Sequence, residues 1–169
     1  MNKKITIGIT GHRDIIITNQ LKKDIKNFFI NFYEKDTTIT LLSPLADGAD
    51  RLVAKIFLEL KQQNKNVNYE LIVPMPFSKK RYMEDFTKIS KIDFLQYLKF
   101  TDKIIEVENN HGCNYKSVGI YVADQSDILL ALWDGSFNKK SGGTGDIVEY
   151  SKNNNKKVVH FLCQREKVQ

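Results

Sequence analysis

The sequence predicts an α/β protein in which a doubly wound, mostly parallel sheet is covered by helices on both faces. Two observations support this prediction. Short β-type runs alternate along the whole chain with segments whose apolar residues recur at helical spacing. In addition, the run Ile128-Leu129-Leu130-Ala131-Leu132 is apolar without interruption, as strands buried on both faces require. Rossmann-like sheets of this kind bind ligands at the carboxyl ends of their strands, so motifs at those ends are expected to converge.

The first half of the chain is predicted to contain three strands, each followed by a helix. Ile5, Ile7 and Ile9 mark a strand that ends in a glycine turn. Apolar residues over 21–32 then recur at i, i+4, i+7, i+8 and i+11, which is one buried helical face. The next strands are residues 38–42 and 71–73. Apolar spacing predicts helices after them over 52–60 and 82–89.

The second half continues the alternation. A further helical stretch covers residues 94–98, and strands are predicted over 103–107, 127–133 and 157–162. Helices are expected over 118–122 and from Thr144 onward. The cluster Phe94-Leu95-Tyr97-Leu98-Phe100 fits either the core or the interface of a homodimer, and the sequence leaves both open.

Length and composition are those of an ordinary globular protein. The 169 residues predict one domain over residues 1–169, with 41% apolar and 27% charged residues. Neither a signal-peptide pattern nor an apolar run of membrane-spanning length is found, so a cytoplasmic protein without membrane contact is expected. Cys113 and Cys163 have no neighbouring Cys or His at metal-ligand spacing. We therefore expect no metal and no cofactor, and we expect Cys163 to be buried.

The net charge of +6 comes from lysines scattered over the whole length, which disfavours a nucleic-acid partner. The few arginines are more informative. Arg13, Arg51 and Arg81 each follow an apolar run and a Gly or Pro turn. Arginine is suited to bidentate contact with phosphate or carboxylate, so these positions suggest an anionic small molecule as the partner.

The first motif follows the first predicted strand, in Gly8-Ile9-Thr10-Gly11-His12-Arg13. Gly11 would let the backbone approach a ligand closely, and Arg13 could bind a phosphate group. His12 is the histidine that lies within a motif. An ordinary turn with a surface arginine explains the same residues equally well.

The second motif is the loop Ser43-Pro44-Leu45-Ala46-Asp47-Gly48-Ala49-Asp50-Arg51, which enters a helix. Asp47 is a candidate N-cap, and Asp50 would lie in the first helical turn, where the helix dipole favours an acidic residue. Gly48, Asp50 and Arg51 are candidate ligand contacts together with Asp47. Arg51 beside two aspartates could instead simply pair with them.

The third motif joins Trp133-Asp134-Gly135 to Ser141-Gly142-Gly143-Thr144-Gly145-Asp146-Ile147-Val148-Glu149. Glycines at a helix start expose backbone N–H groups beside the positive end of the helix dipole, which favours anion binding. Asp134 could hold ribose hydroxyls, and Gly135 is a further candidate ligand contact. Trp133 could stack a base or lie in the core, and the core is favoured. Glu149 is a candidate catalytic carboxylate. The glycine stretch is neither a Walker loop nor a full dinucleotide fingerprint.

With these segments in order, nearly the whole chain resembles the SLOG superfamily of Rossmann-like proteins. Ile9-Thr10-Gly11-His12-Arg13 resembles the opening Gly-His-Arg signature of predicted nucleotide-sensing members, and Ser43 to Arg51 is similar to their second loop. Residues 142–149 resemble the Pro-Gly-Gly-x-Gly-Thr-x-x-Glu motif of LOG phosphoribohydrolases. The resemblance implies a ligand site formed by Gly142, Gly143, Thr144, Gly145 and Asp146 with the other two loops.

The resemblance implies two functions, and the departures from the LOG motif separate them. Ser141 replaces its Pro, Asp146 replaces its Thr, and no arginine occurs between Tyr115 and Ala123, where LOG enzymes carry a catalytic one. We therefore expect binding or sensing of a nucleotide-derived ligand, such as an ADP-ribose relative or a nucleoside phosphate. The alternative is an N-glycosidase that uses Glu149 to release a base from a nucleotide. A further alternative is an interaction subunit or a DNA-binding protein.

Overall fold

The computed structural model describes residues 2–166, and their regular elements follow the predicted alternation. The six strands are β1 (Lys4–Gly11), β2 (Thr38–Leu42), β3 (Asn68–Met75), β4 (Lys103–Glu106), β5 (Ile128–Trp133) and β6 (Lys157–Leu162). The helices are α1 (Asn19–Ile30), α2 (Ala49–Gln63), α3 (Lys79–Met83), α4 (Lys88–Leu98), α5 (Asn114–Gln125) and α6 (Thr144–Asn153).

All six strands are parallel and lie in the order β4-β3-β2-β1-β5-β6. The chain therefore moves outward from β1 to β4, returns through α5, and continues on the other side of β1 with β5 and β6. The strand order reverses between β1 and β5, where Gly11 pairs with Leu132. In open α/β sheets a crevice forms at this switch point, outside the carboxyl ends of the two strands.

Helices pack on both faces of the sheet, which confirms the predicted doubly wound arrangement. Successive residues of β5 point to opposite faces. Leu130 packs in the core with Phe29 of α1 and Phe57 of α2. Its neighbour Leu129 packs with Ile120 of α5 and Ile147 of α6. Every residue of β5 is buried, as the uninterrupted apolar run predicted.

The predicted single helix over residues 82–89 is wrong, because residues 84–87 interrupt it. α3 ends at Met83, and a new helix begins after Thr87, whose Oγ1 accepts a hydrogen bond from the Ser90 N–H at 3.2 Å. Ile89 is 81% exposed, so it does not belong to the buried face that the spacing suggested. Phe86 lies in the connection, in contact with Tyr82 and buried in the core.

Several single-residue expectations can be compared with the structure. Trp133 and Cys163 are buried, as predicted. Phe94 is fully buried, whereas Leu95 and Phe100 of the same cluster are exposed, so a homodimer interface there stays a prediction. No helix within residues 2–166 combines the length and the apolar character needed to cross a membrane.

Candidate ligand-binding site

A cleft of about 690 Å³ opens at the switch point of the sheet. The loop after β1, the loop before α2, helix α3 and the N-terminal ends of α5 and α6 form its walls. Of the candidate ligand contacts in the three motifs, the structure brings seven to the cleft: Gly11, His12, Arg13, Asp50, Gly142, Gly143 and Thr144. The three motifs therefore meet at one place, although not with all their residues.

Gly11 holds the first loop close to its neighbours. A Cβ atom at this position would lie 2.3 Å from the Ala49 Cβ and 2.8 Å from the Leu132 carbonyl oxygen. Gly48 has a similar effect from the other side, because its φ is 77° and a Cβ there would lie 2.3 Å from the Arg13 carbonyl oxygen. The Ala49 N–H donates to the His12 carbonyl at 3.1 Å. Both glycines thus allow the first two loops to pack together, whether or not a ligand is present.

His12 is buried at the cleft and is oriented by Asp134. The His12 Nε2 lies 3.1 Å from Asp134 Oδ1, which also accepts hydrogen bonds from the Ser136 N–H at 3.0 Å and the Ser136 hydroxyl at 2.7 Å. Burial acts to raise the pKa of Asp134, but the hydrogen bonds from Ser136 and His12 lower it to about 2. An ionised carboxylate only accepts, so Nε2 carries the proton. Asp134 therefore positions His12 and does not itself line the cleft.

Arg13 extends into the cleft without a carboxylate partner. Its guanidinium lies 5.2 Å from the centre of the Tyr115 ring, and it forms no salt bridge within residues 2–166. A guanidinium held against an aromatic face keeps its hydrogen-bond donors available for an anion.

Asp47 and Arg51 lie outside the cleft, unlike Asp50 from the same loop. Arg51 is 5% exposed and donates to the Leu45 carbonyl at 2.9 Å, to Asp47 at 2.7 Å and to Asp93 at 3.1 Å. Its guanidinium also lies 5.0 Å from the centre of the Phe86 ring. These contacts join the loop to α4. Arg51 thus pairs with Asp47, as the structural alternative expected, but its second partner is Asp93 of α4 and not Asp50.

The N-cap expected at Asp47 is one residue further along. Gly48 occupies the N-cap position of α2 and supplies no side-chain hydrogen bond. The Asp47 carboxylate instead accepts hydrogen bonds from Arg51 and from the Ser90 hydroxyl at 2.7 Å. The two strong donors explain why Asp47 does not turn back to cap its own helix.

Helix α6 begins at the cleft with free backbone donors. Gly143 is its N-cap, and within residues 2–166 the N–H groups of Thr144, Gly145 and Asp146 have no hydrogen-bond acceptor. Asp146 Oδ2 accepts the Gly142 N–H at 2.8 Å and lies 3.4 Å from the Lys116 Nζ. Asp146 therefore stabilises the loop through Gly142, and the helix start reaches the cleft through Gly142, Gly143 and Thr144, which line it.

The remaining residues of the third motif lie away from the cleft lining. Gly145 packs against Ser136 and Phe137, where a Cβ would lie 3.1 Å from the Ser136 carbonyl oxygen. Gly135 has a φ of 84° in the loop after β5. Glu149 is exposed and lies two positions from Ile147, which lines the cleft, so it is on the other side of α6.

A further wall of the cleft is formed by Arg81, Asp85 and Tyr115, of which sequence reasoning singled out Arg81 and missed Asp85 and Tyr115. Arg81 pairs with Asp85 at 2.9 Å, and Asp85 also accepts a hydrogen bond from the Tyr115 hydroxyl. These two hydrogen bonds lower the pKa of Asp85. Arg81 carried a signal, because it follows a strand and a proline turn. Tyr115 carried none, because it opens α5 without a recognisable motif.

Two further cations were also missed. Lys140 reaches the cleft from the loop before α6, and Arg165 reaches it from the segment after β6. Arg165 is paired with Asp14 at 2.8 Å, and this hydrogen bond lowers the pKa of Asp14. Lys140 has no salt-bridge partner in the described part of the chain. Over residues 2–166, no group of three His, Cys, Asp or Glu side chains is arranged to hold a metal ion.

Fold and site together define a doubly wound α/β protein with a ligand-sized cleft at the switch point of its sheet. The chain belongs to the YspA SLOG family, whose family model matches residues 3–165. This match confirms the resemblance to the SLOG superfamily. No curated protein matches the chain.

One similar solved structure is the nicotinamidase SaPncA from Staphylococcus aureus. It shares 16% sequence identity with this chain, and the match covers 94% of this chain and 100% of the nicotinamidase. The TM-score is 0.32. A likeness at this level bears on neither the fold nor the function of the protein.

Proposed function

We propose that the protein binds a nucleotide-derived ligand in the switch-point cleft, with a phosphate group of the ligand between the start of α6 and Arg13. The open N-terminus of α6 is the observation that carries this proposal. Three successive N–H groups without acceptors at the positive end of a helix dipole are a strong anion site. The family supports a nucleotide-related role.

The charges around the cleft favour an anion as well. Of its acidic residues, Asp14 and Asp85 are already paired with Arg165 and Arg81. Arg13 and Lys140 are left to neutralise a ligand. A charge-assisted hydrogen bond to phosphate contributes about 1.5–3 kcal/mol when well formed.

The size and the apolar walls of the cleft fit the rest of such a ligand. A volume of about 690 Å³ is within the range of sites for small molecules and cofactors. Ile9, Val118, Val122 and Ile147 contribute apolar surface to the lining. A base or sugar can pack against these side chains while the phosphate contacts the helix start. Glu149, on which N-glycosidic hydrolysis would depend, is exposed outside the cleft, so the proposal is confined to binding.

The test is a binding measurement by titration calorimetry with AMP, ADP-ribose and NAD. For a probe that binds, Arg13→Ala is expected to weaken binding by about 10- to 150-fold, which corresponds to 1.5–3 kcal/mol. Lys23→Ala removes an exposed charge from α1 and serves as the matched control with unchanged affinity. Loss of less than threefold in Arg13→Ala, or no binding of any probe, would overturn the proposal.

A further inference from the structure

Asp50 is a buried carboxyl group on the wall of the cleft. It belongs to the first turn of α2, is 7% exposed and lines the cleft. Its Oδ2 accepts a hydrogen bond from the Ala46 N–H at 3.1 Å. Its other carboxyl oxygen, Oδ1, has no hydrogen-bond partner within residues 2–166, so this atom is the one left for a ligand.

The surroundings of Asp50 do not compensate a full negative charge. Neither Arg13 nor Arg51 comes within salt-bridge distance of it, although both attract the carboxylate over a longer range. Asp47, from its own loop, repels the charge. Tyr82 from α3 donates its hydroxyl proton to the Pro44 carbonyl at 3.0 Å and is therefore not turned toward Asp50 as a donor. A buried carboxyl in such a place takes up a proton.

Burial is the largest influence on the pKa of Asp50. Burial raises the pKa of Asp50 to about 7, against the hydrogen bond from Ala46 and the attraction of Arg13 and Arg51. The neutral and ionised forms are then both populated at physiological pH. Only the neutral form has a proton to donate, and only the ionised form repels an anion.

We propose that neutral Asp50 donates a hydrogen bond from its free carboxyl oxygen to a phosphate oxygen of the ligand, so that binding is coupled to uptake of a proton. This inference rests on the proposed function, because it assigns a role within the same cleft. The proton moves from solvent to Asp50, stays on the carboxyl group in the complex, and returns to solvent when the ligand leaves. Ligand affinity therefore falls as Asp50 ionises.

The experiment measures the dissociation constant of ADP-ribose from pH 6 to pH 9. The pyrophosphate of this probe is fully ionised throughout the range, so the ligand contributes no phosphate titration. For the unaltered protein, the dissociation constant is expected to rise above pH 7, by up to about tenfold per pH unit. Asp50→Asn removes the titrating carboxyl group and is expected to abolish this rise of the dissociation constant with pH. Asp24→Asn, at a half-buried position on α1 outside the cleft, is the matched control and should keep the pH dependence.

A second measurement separates this inference from the proposed function. The ¹³C resonance of the Asp50 carboxyl group, assigned by its loss in Asp50→Asn, reports the titration without any ligand. A midpoint near 7 is expected, and a midpoint near 4 overturns the inference whatever binds. A pH dependence of the dissociation constant that persists in Asp50→Asn comes from another group and also overturns the inference. A midpoint near 7 with no binding of ADP-ribose, AMP or inorganic phosphate refutes the proposed function and the proton coupling with it.

Discussion

Replacing Arg51 with methionine distinguishes a structural arginine from one that binds ligand. Methionine keeps the apolar stem and removes the guanidinium. The Leu45 carbonyl, which is buried, would lose its donor at a cost of about 1–3 kcal/mol. The contact with the Phe86 ring contributes about 1 kcal/mol. Asp47 and Asp93 are partly exposed and can be rehydrated, so each salt bridge adds only about 0–1 kcal/mol.

The expected loss of unfolding free energy is therefore about 2–6 kcal/mol, which for a chain of this length lowers the melting temperature by roughly 4–24 °C. Urea denaturation followed by circular dichroism measures the free energy directly, and the slope with denaturant should not change. Lys55→Ala, at an exposed position of the same helix, is the control and should stay within about 0.5 kcal/mol. An Arg51→Met protein of unchanged stability that no longer binds nucleotide would refute this reasoning.

Two other predictions concern the loops at the switch point. Gly11→Ala should lower the unfolding free energy by about 1–3 kcal/mol, because the added methyl group meets Ala49 and the Leu132 carbonyl; an unchanged urea midpoint would contradict this packing. Asp134 has its pKa lowered to about 2, so its stabilisation is present above pH 4 and is lost as the pH falls toward 2. Asp134→Asn should reduce the stability at pH 7 by about 1 kcal/mol after solvent screening, and the difference from the unaltered protein should shrink below pH 4 in thermal melts.

The order of strands and helices could be predicted because the spacing of apolar residues within a short segment indicates whether that segment is a strand or a helix. Strands β2 and β6 have the predicted bounds, since each is a short apolar segment between polar turns. The break between α3 and α4 could not be predicted in this way. Ile89 stands at helical spacing from Tyr82 and Phe86, but Thr87 caps a new helix and turns Ile89 toward solvent.

Part of the site was equally accessible to sequence reasoning. Gly11 ends β1, and Asp50 and Gly142 follow β2 and β5; the carboxyl ends of these strands meet at one edge, so topology brings the three residues together. The role of Arg51 could not be decided, because the same guanidinium geometry suits a carboxylate of the protein and a phosphate of a ligand. Tyr115 comes from a helix start without a motif, and only the folded chain places it beside Arg13.

The segment after β6 has a practical consequence for biosensor design. Residues around Arg165 run antiparallel to residues 14–16, and the Glu166 N–H donates to the Asp14 carbonyl at 2.7 Å. A fluorescent dye attached to Glu166→Cys, in a Cys113→Ser background, would therefore lie at the rim of the cleft. Its fluorescence would change when a ligand occupies the cleft. The amino end of β1 lies at the opposite edge of the sheet, about 25 Å away along eight strand residues. Immobilising the protein through that end leaves the cleft facing the solution.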